Sequence, residues 1–252
     1  MAPADGGTSF PAGTRARVVE APPALGGEEL LQRLELPAPR GTVVVNGSTT
    51  ELRPELAAPL GEVIAAVADL AVANGLTVLT GATDAGIFSI LGSAMDGRSA
   101  PLVGVAPAGL VVRPGEQPSA DETAARERLE PHHSHFVLVD GKAWGDETAA
   151  LLALADALGA RAPSVAVLCG GGTGARAEVQ GHCRARRPVV VIAGSGRFAD
   201  ELVAAVAEPE GSRDPALAEV ACAEIVVCRR EDGPAAVTAA LAGALGLAGG
   251  ET

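Results

Sequence analysis

Two hydrophobic periods alternate along the chain. Short apolar, β-branched runs such as GTVVVNG (41–47) and SVAVLC (164–169) are typical of strands buried on both faces of a parallel sheet. Between such runs lie stretches with apolar residues at helical spacing, as in 58–75, where Leu60, Val63, Ile64 and Val67 share one face. This strand–helix order predicts an α/β fold, a doubly wound, mostly parallel sheet with helices on both faces.

The same pattern gives the position of each element. Strands are predicted at 15–21, 41–47, 76–81, 100–107, 135–141, 163–172, 187–196 and 223–230. Helices are predicted at 26–36, 58–75, 84–97, 145–160, 175–184, 198–208 and 233–248. The polar stretch 108–130 is predicted to be a surface loop with a helical segment near its end.

The domain organisation follows from where periodicity begins. Residues 1–13 are rich in Pro, Gly and Ala without periodicity, so we expect a disordered leader, followed by a single domain over 14–250. No apolar signal-peptide region and no run of about 18 apolar residues is present, which predicts a cytoplasmic protein without a membrane span. The last helix, 233–248, suits either the core or the contact of a homo-oligomer.

Charge and composition exclude several partners. The net charge of the 252 residues is −12 and aromatic residues make up only 2%, so we expect neither a nucleic-acid nor an anionic-membrane partner. Cys169, Cys183, Cys222 and Cys228 have no CxxC spacing and are interpreted as reduced thiols.

Three strand-to-helix turns are rich in glycine: TGATDAGI (80–87), CGGGTGARAE (169–178) and AGSGRFADE (193–201). Because parallel strands end at one edge of a sheet, these turns are expected to line one crevice. Glycine lets a ligand approach the backbone, and the following helix turns free N–H groups and its positive end toward the same place. The turns therefore predict a phosphate or pyrophosphate site. Neither GxGxxG with an acidic partner nor GxxxxGK[ST] occurs, which argues against a common NAD dehydrogenase or a P-loop NTPase.

The segments TGATDAGIFSILG, LEPHHSHFVLVD, WGDE, SVAVLCGGG and RRPVVVIAGSGRFADEL occur in this order. Together they resemble the SLOG-type domain of TRPM (melastatin-type) cation channels, and more closely its free-standing bacterial relatives of the LSDAT type. The resemblance runs from about residue 15 to 248. It implies a Rossmann-like fold whose cleft binds nucleotides or NAD-derived molecules such as ADP-ribose, for sensing rather than catalysis.

The resemblance also implies ligand contacts, turn by turn. Backbone N–H groups and the Thr83 and Ser195 hydroxyls would hold phosphate oxygens, and Arg197 would pair with a phosphate. Asp84 would accept from a ribose hydroxyl or cap a helix, two alternatives that stay open. Ser134 and His135 would supply polar contacts. The implied set is Gly81, Thr83, Asp84, Gly86, Ser134, His135, Gly170, Gly171, Gly172, Gly174, Gly194, Ser195, Gly196 and Arg197.

One turn departs from the family pattern. The bacterial relatives are usually glycine-rich after the first central strand, but this chain has NGSTTELRPEL with only Gly47. The hydroxyls of Ser48, Thr49 and Thr50 are candidates to replace glycine amides there.

An enzymatic alternative centres on Glu178. GGTGARAE (171–178) is similar to the GGxGTxxE motif of cytokinin-activating phosphoribohydrolases, with Ala175 in place of Thr, and the motif's Glu acts there in cleaving an N-glycosidic bond. A carboxylate beside C1 of ribose stabilises an oxocarbenium-like centre or activates water. The competing interpretation is a helix-terminal acid favoured by the helix dipole.

The remaining candidates have structural interpretations as well. HHSH, containing His132, His133 and His135, lacks a carboxylate or cysteine at matching spacing, so no metal is expected. Trp144, the only tryptophan, is interpreted mainly as a packing residue, with contact to an adenine as the alternative.

Overall fold

The structure is a computed structural model that describes residues 6–11, 13–47, 54–208, 217, 220 and 224–247. Ser48, Thr49, Thr50 and Cys222 lie outside the described residues, as do residues 1–5 of the expected leader. The interpretations given to those residues therefore stay predictions.

A nine-stranded sheet forms the centre of the described part of the chain. Its spatial order is β1-β2-β8-β5-β4-β3-β9-β10-β11, and every neighbouring pair is parallel except β1 with β2. A separate two-stranded sheet joins β6 and β7. The strands are β1 Gly6–Ser9, β2 Arg15–Ala21, β3 Thr42–Gly47, β4 Thr77–Thr80, β5 Leu102–Pro107, β6 Val111–Val112, β7 Glu127–Arg128, β8 His135–Val139, β9 Ser164–Cys169, β10 Val189–Ala193 and β11 Ile225–Arg229.

Helices cover both faces of the sheet. They are α1 Gly27–Leu34, α2 Pro54–Asn74, α3 Gly86–Met95, α4 Ala120–Ala125, α5 Thr148–Gly159, α6 Thr173–Arg184, α7 Arg197–Ala207 and α8 Gly233–Ala244. α2, α3 and α8 pack on one face, and α1, α5, α6 and α7 on the other. Alternate residues of the central strands enter the two cores: Val43 and Val45 of β3 face α2, whereas Val44 faces the opposite layer. The predicted doubly wound, Rossmann-like fold is confirmed.

The chain reverses its direction of winding beside β3. From β3 it proceeds through β4 and β5 to β8, and it then returns to place β9, β10 and β11 on the other side. β3 and β9 are adjacent and parallel, and their carboxyl ends, Gly47 and Cys169, are paired. A crevice at such a reversal is where open α/β sheets bind ligands.

The amino-terminal segment differs from its prediction. Gly6–Ser9 forms an edge strand that pairs antiparallel with β2, so the expectation of a disordered leader is wrong for these residues. The hairpin is closed by two bonds: the Phe10 amide donates to the Thr14 carbonyl, and the Gly13 amide donates to the Phe10 carbonyl. Phe10 is buried against Phe136 at a ring-centroid distance of 5.9 Å. One buried aromatic residue, Phe10, holds this segment in place, and a single apolar position creates no hydrophobic period that could be recognised in the sequence.

Helix α2 is long and apolar enough to cross a membrane by length and composition. It begins at Pro54, four residues before its predicted start. In the fold it is a core helix, because Leu60, Val63, Ile64 and Val67 are fully buried against the sheet, α3 and α8. The described residues form one α/β domain, and α8 contributes Val237 and Leu241 to its core.

Candidate functional site

A cleft of about 250 Å³ opens at the carboxyl edge of the sheet, at the reversal between β3 and β9. Its wall comes from the ends of β3 and β4, the segment before α5, and the start of α6 and α7. Side chains at two of these places, Gly47 and Gly81, are excluded by contact: a Cβ on Gly47 would lie 2.4 Å from the Cys169 carbonyl oxygen. The lining residues are Gly47, Gly81, Phe88, Trp144, Gly145, Glu147, Gly172, Thr173, Gly174, Ala175, Glu178 and Arg197.

The turn after β9 offers unpartnered amides to this cleft. Gly170 and Gly171 adopt φ values of +66° and +94°, which glycine alone adopts without strain. The first backbone bond of α6 runs from the Arg176 amide to the Gly172 carbonyl at 3.0 Å. Within the described chain the five amides from Gly171 to Ala175 have no acceptor, as expected at a helix start. Together with the helix dipole, they form a local positive end in an acidic protein.

Arg197 adds a full positive charge to the same end of the cleft. It begins α7 with φ +55°, a conformation that costs a non-glycine residue free energy. Its guanidinium lies over the β9 turn, where a Cβ on Gly172 would be 3.1 Å from Nη2. The left-handed backbone at Arg197 thus places its guanidinium next to the unpartnered amides.

Two carboxyl groups lie deeper in the cleft. Glu178 is the sixth residue of α6, and no hydrogen bond to its carboxyl is found within the described residues. Glu147 is nearly buried and accepts from the Gly145 amide at 2.7 Å. Burial raises the pKa of Glu147, and burial followed by the charge of Glu147 raises the pKa of Glu178 to about 7. Water reaches part of the Glu178 side chain, but the protein surrounds its carboxyl closely enough to disfavour the ion.

Comparison with known proteins identifies the family. A family model described as "SLOG in TRPM, prokaryote" matches residues 40–239. The chain belongs to this family. A search of curated proteins found no match. The matched region begins just before β3, ends within α8, and contains every lining residue of the cleft.

In this SLOG member, residues of the β9 turn reach the cleft as the sequence suggested. Gly172, Gly174 and Glu178 line it directly. Gly171 lies just beneath, because its Cβ position is 2.8 Å from Ala175. The Gly170 amide donates a hydrogen bond to Ser195 Oγ at 2.8 Å, so it is not available to a ligand. The interpretation of Glu178 as a first-turn acid is wrong, because α6 begins at Thr173 and places Glu178 in the second turn.

The turn after β10 is filled by the protein itself. The amides of Gly194 and Gly196 donate to the two Asp200 carboxylate oxygens at 2.7 and 3.1 Å. The Ser195 hydroxyl is buried, accepts from Gly170 and donates to the Ile192 carbonyl at 2.5 Å. The expectation that Gly194, Ser195 and Gly196 hold phosphate is therefore wrong; only Arg197 of this turn lines the cleft.

The turn after β4 is covered by a crossing segment. Thr83 bridges Leu129, the Asp84 amide donates to the Arg128 carbonyl at 2.8 Å, and the Glu130 amide donates to Ala82. Thr83 is fully buried, and its hydroxyl has no hydrogen-bond partner in the described structure.

Asp84 accepts from the Ser89 hydroxyl at 2.6 Å, and the N-cap position of α3 is Ala85, so the capping alternative for Asp84 is wrong. Its contact with a ribose hydroxyl stays a prediction. Gly86 starts α3 with φ +55°. Thr83, Asp84 and Gly86 do not line the cleft, whereas Gly81 does.

Ser134 and His135 lie at the opposite edge of the sheet, so their assignment to the cleft is wrong. His135 is the first residue of β8 and pairs with Arg17 and Val103, near the amino ends of β2 and β5. Ser134 Oγ accepts from the Leu102 amide at 3.0 Å. Burial, and then the charge of Arg17, lowers the pKa of His135 to about 4, so its ring is neutral at physiological pH.

The other histidines of HHSH form a buried structural cluster. Glu130 is 1% exposed and bonds to His132 Nδ1 at 2.5 Å and His133 Nδ1 at 2.7 Å, while His133 Nε2 lies 2.6 Å from Thr80 Oγ1. Burial alone would raise the pKa of Glu130, but the hydrogen bond and charge of His133, with the bonds from His132, lower it. The described residues include no group of three or more His, Cys, Asp or Glu placed to hold a metal ion.

Sequence reasoning assigned two cleft residues to other roles. Trp144 is 49% exposed on the cleft, so its interpretation as a packing residue is wrong. Glu147, the last residue of WGDE, is an acid that the sequence alone favours at a helix start, yet it lines the cleft. The position of both before α5, at the carboxyl end of β8, is the signal that would have placed them at this edge.

Proposed function

We propose that this SLOG domain binds a nucleotide-derived anion, with a phosphate held by the start of α6 and Arg197. The observation that carries the proposal is the set of five unpartnered amides from Gly171 to Ala175 beside a cleft at the winding reversal. Such amides, a helix dipole and a guanidinium bind phosphate even when the whole protein is acidic. The family assignment supports the same interpretation, since ligand sensing is what the resemblance implies.

The rest of the cleft suits the rest of a nucleotide. Trp144 offers an exposed aromatic face on which a base can stack, a contact that contributes about 1–3 kcal/mol. Glu178 and Glu147 offer acceptors for ribose hydroxyls. Glu178 lies five positions after Thr173 in α6, a rise of roughly 7.5 Å, so phosphate and sugar would contact different turns of the helix. ADP-ribose and NAD-derived molecules are the proposed ligand class.

A charge placed at Gly174 tests the phosphate contact. Gly174 lines the cleft, and a Cβ there would meet nothing within 4 Å, so a side chain fits without a clash. Gly174→Asp puts an anion where phosphate would lie, and we expect at least ~100-fold weaker binding from lost and repelled charge contacts. Folding should not suffer, because an acid near a helix start is favourable by about 0.3–1 kcal/mol.

The measurement is thermal shift with AMP, ADP-ribose and NAD, confirmed by calorimetry. The wild type should melt at rising temperature as the ligand exceeds its Kd. The neutral, isosteric Gly174→Asn should keep most of the response and the Asp variant should lose it. Equal responses from Asp and Asn, or no response from the wild type to any of the three, would refute the phosphate site.

A second candidate function is hydrolysis of a nucleotide N-glycosidic bond. The paired acids favour it: a carboxyl with a pKa of about 7 beside a second acid is suited to proton transfer at neutral pH. In this reaction Glu178 takes a proton from water as the water oxygen bonds to C1. The C1–N bond breaks and its electron pair goes to the base. A purine base then takes the proton that Glu178 removed from water, which returns Glu178 to its starting state. Glu147 would stabilise the positive charge that develops at C1.

Release of free base separates the two functions. AMP, NAD and ADP-ribose are incubated with wild-type protein, and products are resolved by chromatography. Hydrolysis by this site requires that Glu178→Gln abolish release while the ligand still raises the melting temperature. Binding without release in the wild type would leave sensing as the function.

The remaining expectations concern the cellular context. We propose a cytoplasmic protein that acts on a small-molecule ligand and needs no metal, nucleic acid or membrane. Supporting this, the protein is acidic, and α2, the one helix in the described part of the chain that is long and apolar enough to span a membrane, packs in the core. Addition of EDTA should leave the ligand-induced shift unchanged; its loss would contradict the metal-free proposal.

A further inference from the structure

A second cavity, of about 340 Å³, lies at the amino-terminal edge of the sheet, opposite the cleft. It occupies the space between the carboxyl ends of α5 and α6, where β9 and β10 begin. Its lining includes three charged side chains, Asp156, Arg186 and Arg187. The phosphate site proposed above uses none of these residues.

Arg187 is a fixed, buried cation in the wall of this cavity. Its side chain is 4% exposed. It donates from Nε to Ser164 Oγ at 2.8 Å and from Nη2 to Asp156 Oδ1 at 2.7 Å, and Nη1 lies 2.6 Å from His182 Nδ1. Burial, and then the charge of Arg187, lowers the pKa of His182 to about 3, so the ring is neutral and accepts this bond. Three of the five guanidinium N–H groups are used, and two remain for a ligand.

Arg186 is held in a conformation that glycine usually occupies. Its φ is +55°, and the bonds Arg186 N to Cys183 O and Arg187 N to His182 O close the end of α6. Helices often end this way with glycine at the left-handed position, because a Cβ there is unfavourable. The Arg186 side chain is exposed and has no hydrogen-bond or ion-pair partner among the described residues. A strained residue with an unpaired cation beside a cavity points to a ligand rather than to folding.

Negative groups line the same cavity, next to these cations. Asp156 contributes a carboxylate that is more than half exposed. Gly159, Ala160 and Ala185 line the cavity at the ends of α5 and α6, and their carbonyl oxygens accept no hydrogen bond from the described chain. Each helix end carries about −0.5 charge. Two arginines, one aspartate and two helix ends therefore sum to roughly zero. Asp156 is ion-paired with Arg187, while the Arg186 guanidinium and the helix-end carbonyls have no partner among the described residues.

We propose that this cavity binds a small zwitterion that carries one carboxylate and one ammonium group, the chemistry of a free α-amino acid. The carboxylate lies against Arg186 and the remaining N–H groups of Arg187. The ammonium lies against Asp156 and the terminal carbonyls. A simple anion meets Asp156 and two negative helix ends, and a simple cation meets two arginines, so each alone binds weakly. The volume is near the lower end of ligand cavities, about 300–1,000 Å³, and suits a small amino acid.

The test uses L-alanine and L-serine as probes, with propionate and ethylamine as single-charge analogues. Calorimetry and thermal shift on the whole protein should show saturable binding of the amino acids and at least ~10-fold weaker binding of either analogue, the effect of losing one charged contact. Two variants test the assigned groups: Arg186→Gly and the isosteric Asp156→Asn. Both should weaken amino-acid binding by at least ~10-fold.

Arg186→Gly also provides its own folding control. Glycine relieves the left-handed strain, so the melting temperature without ligand should not fall. The variant should still respond to AMP if the cleft binds nucleotides, so the two sites fail independently. Arg15→Ala, which removes an exposed cation from the start of the distant strand β2, should bind amino acids like the wild type. Propionate binding as tightly as alanine, an unaffected Arg186→Gly variant, or no binding of either amino acid would overturn the proposal.

Discussion

The glycine turns after β9 and β10 look alike in sequence and differ in what their amides do. Both follow buried strands that are neighbours in the sheet, and both open onto a helix of similar length. After β9, the amides from Gly171 to Ala175 have no acceptor among the described residues, and Gly172 to Ala175 line the cleft. After β10, Asp200 accepts from Gly194 and Gly196, and the Gly171 and Gly170 carbonyls accept from Phe198 and Ala199. The first turn is open to a ligand and the second is closed by the protein.

The difference arises from the fourth residue of each helix. In α7 this residue is Asp200, whose carboxylate reaches back over the turn. In α6 it is Arg176, which has donors only and instead pairs with Glu201 at 2.6 Å and lies over the Phe198 ring. Glycine therefore supplies the backbone geometry of such a turn, whereas the presence or absence of a nearby acceptor decides whether the amides remain available.

The largest expected effect comes from adding a methyl group to each turn. Gly171 and Gly196 have φ values of +94° and +86°, so alanine pays the left-handed strain at both. At Gly171 the new Cβ would also lie 2.8 Å from Ala175 Cβ, whereas at Gly196 nothing lies within 4 Å. We expect Gly171→Ala to lower the free energy of unfolding by about 3 kcal/mol and Gly196→Ala by about 1 kcal/mol.

Urea unfolding monitored by circular dichroism gives both values, and Gly196→Ala is the matched control for strain without contact. Equal losses in the two variants would mean that the open turn is not packed more tightly than the closed one. That result would contradict the close packing of Gly171 against Ala175 of α6, the contact that holds the unpartnered amides in place.

The sequence predicted the fold well because each central element carries its own period. The local residue pattern is enough to predict the buried strands at 41–47 and 187–196 and the helix at 58–75. It missed Gly6–Ser9, whose pairing with β2 depends on a tertiary contact of Phe10. Sequence patterns do not encode such a contact.

The candidate site was predicted in part, because closeness along the chain does not say which edge of the sheet a residue occupies. Gly81, Gly172, Gly174, Glu178 and Arg197 line the cleft. Ser134 precedes β8 and His135 is its first residue, which puts both at the amino-terminal edge of the sheet, opposite the cleft. The sequence GSGRFADE contains the acid that closes the β10 turn, Asp200, four residues after the last glycine. Only the structure shows that this carboxylate accepts from the amides of the turn.

A smaller effect concerns the sixth residue of each helix, Glu178 in α6 and Leu202 in α7. Leu202 is buried in the core, whereas Glu178 faces the cleft with a pKa raised to about 7 from an ordinary 4.5. Between these values the folded state holds a proton that the unfolded state has lost. Stability therefore falls as pH rises from about 4.5 to 7. After allowance for partial exposure, we expect Glu178 to contribute about 1.5 kcal/mol of this loss.

Chemical unfolding of the wild type and Glu178→Gln at pH 4.5 and pH 8 measures this contribution. The glutamine variant does not titrate, so its stability relative to the wild type should increase by about 1.5 kcal/mol between the two pH values. Glu147, whose pKa is also raised, stays in both proteins, so the difference reports the ionisation of Glu178 together with its interaction with Glu147. Parallel pH profiles would show that Glu178 ionises normally and that the cleft does not disfavour its charge.

The smallest expected change in stability comes from opening the β10 turn, so that its amides become available like those of the β9 turn. Asp200→Ala removes the acceptor of the Gly194 and Gly196 amides, at a cost of about 1 kcal/mol, typical of a lost helix cap. The freed amides would then resemble those after β9, with Arg197 beside them. Inorganic phosphate should consequently raise the melting temperature of Asp200→Ala more than that of the wild type, and Asp200→Asn, which keeps one acceptor oxygen, should lie between them. A destabilised Asp200→Ala variant with no added phosphate response would mean that unpartnered amides alone do not bind the anion. In that case Arg197 and the shape of the β9 turn, rather than the free N–H groups, would have to account for any phosphate held in the cleft.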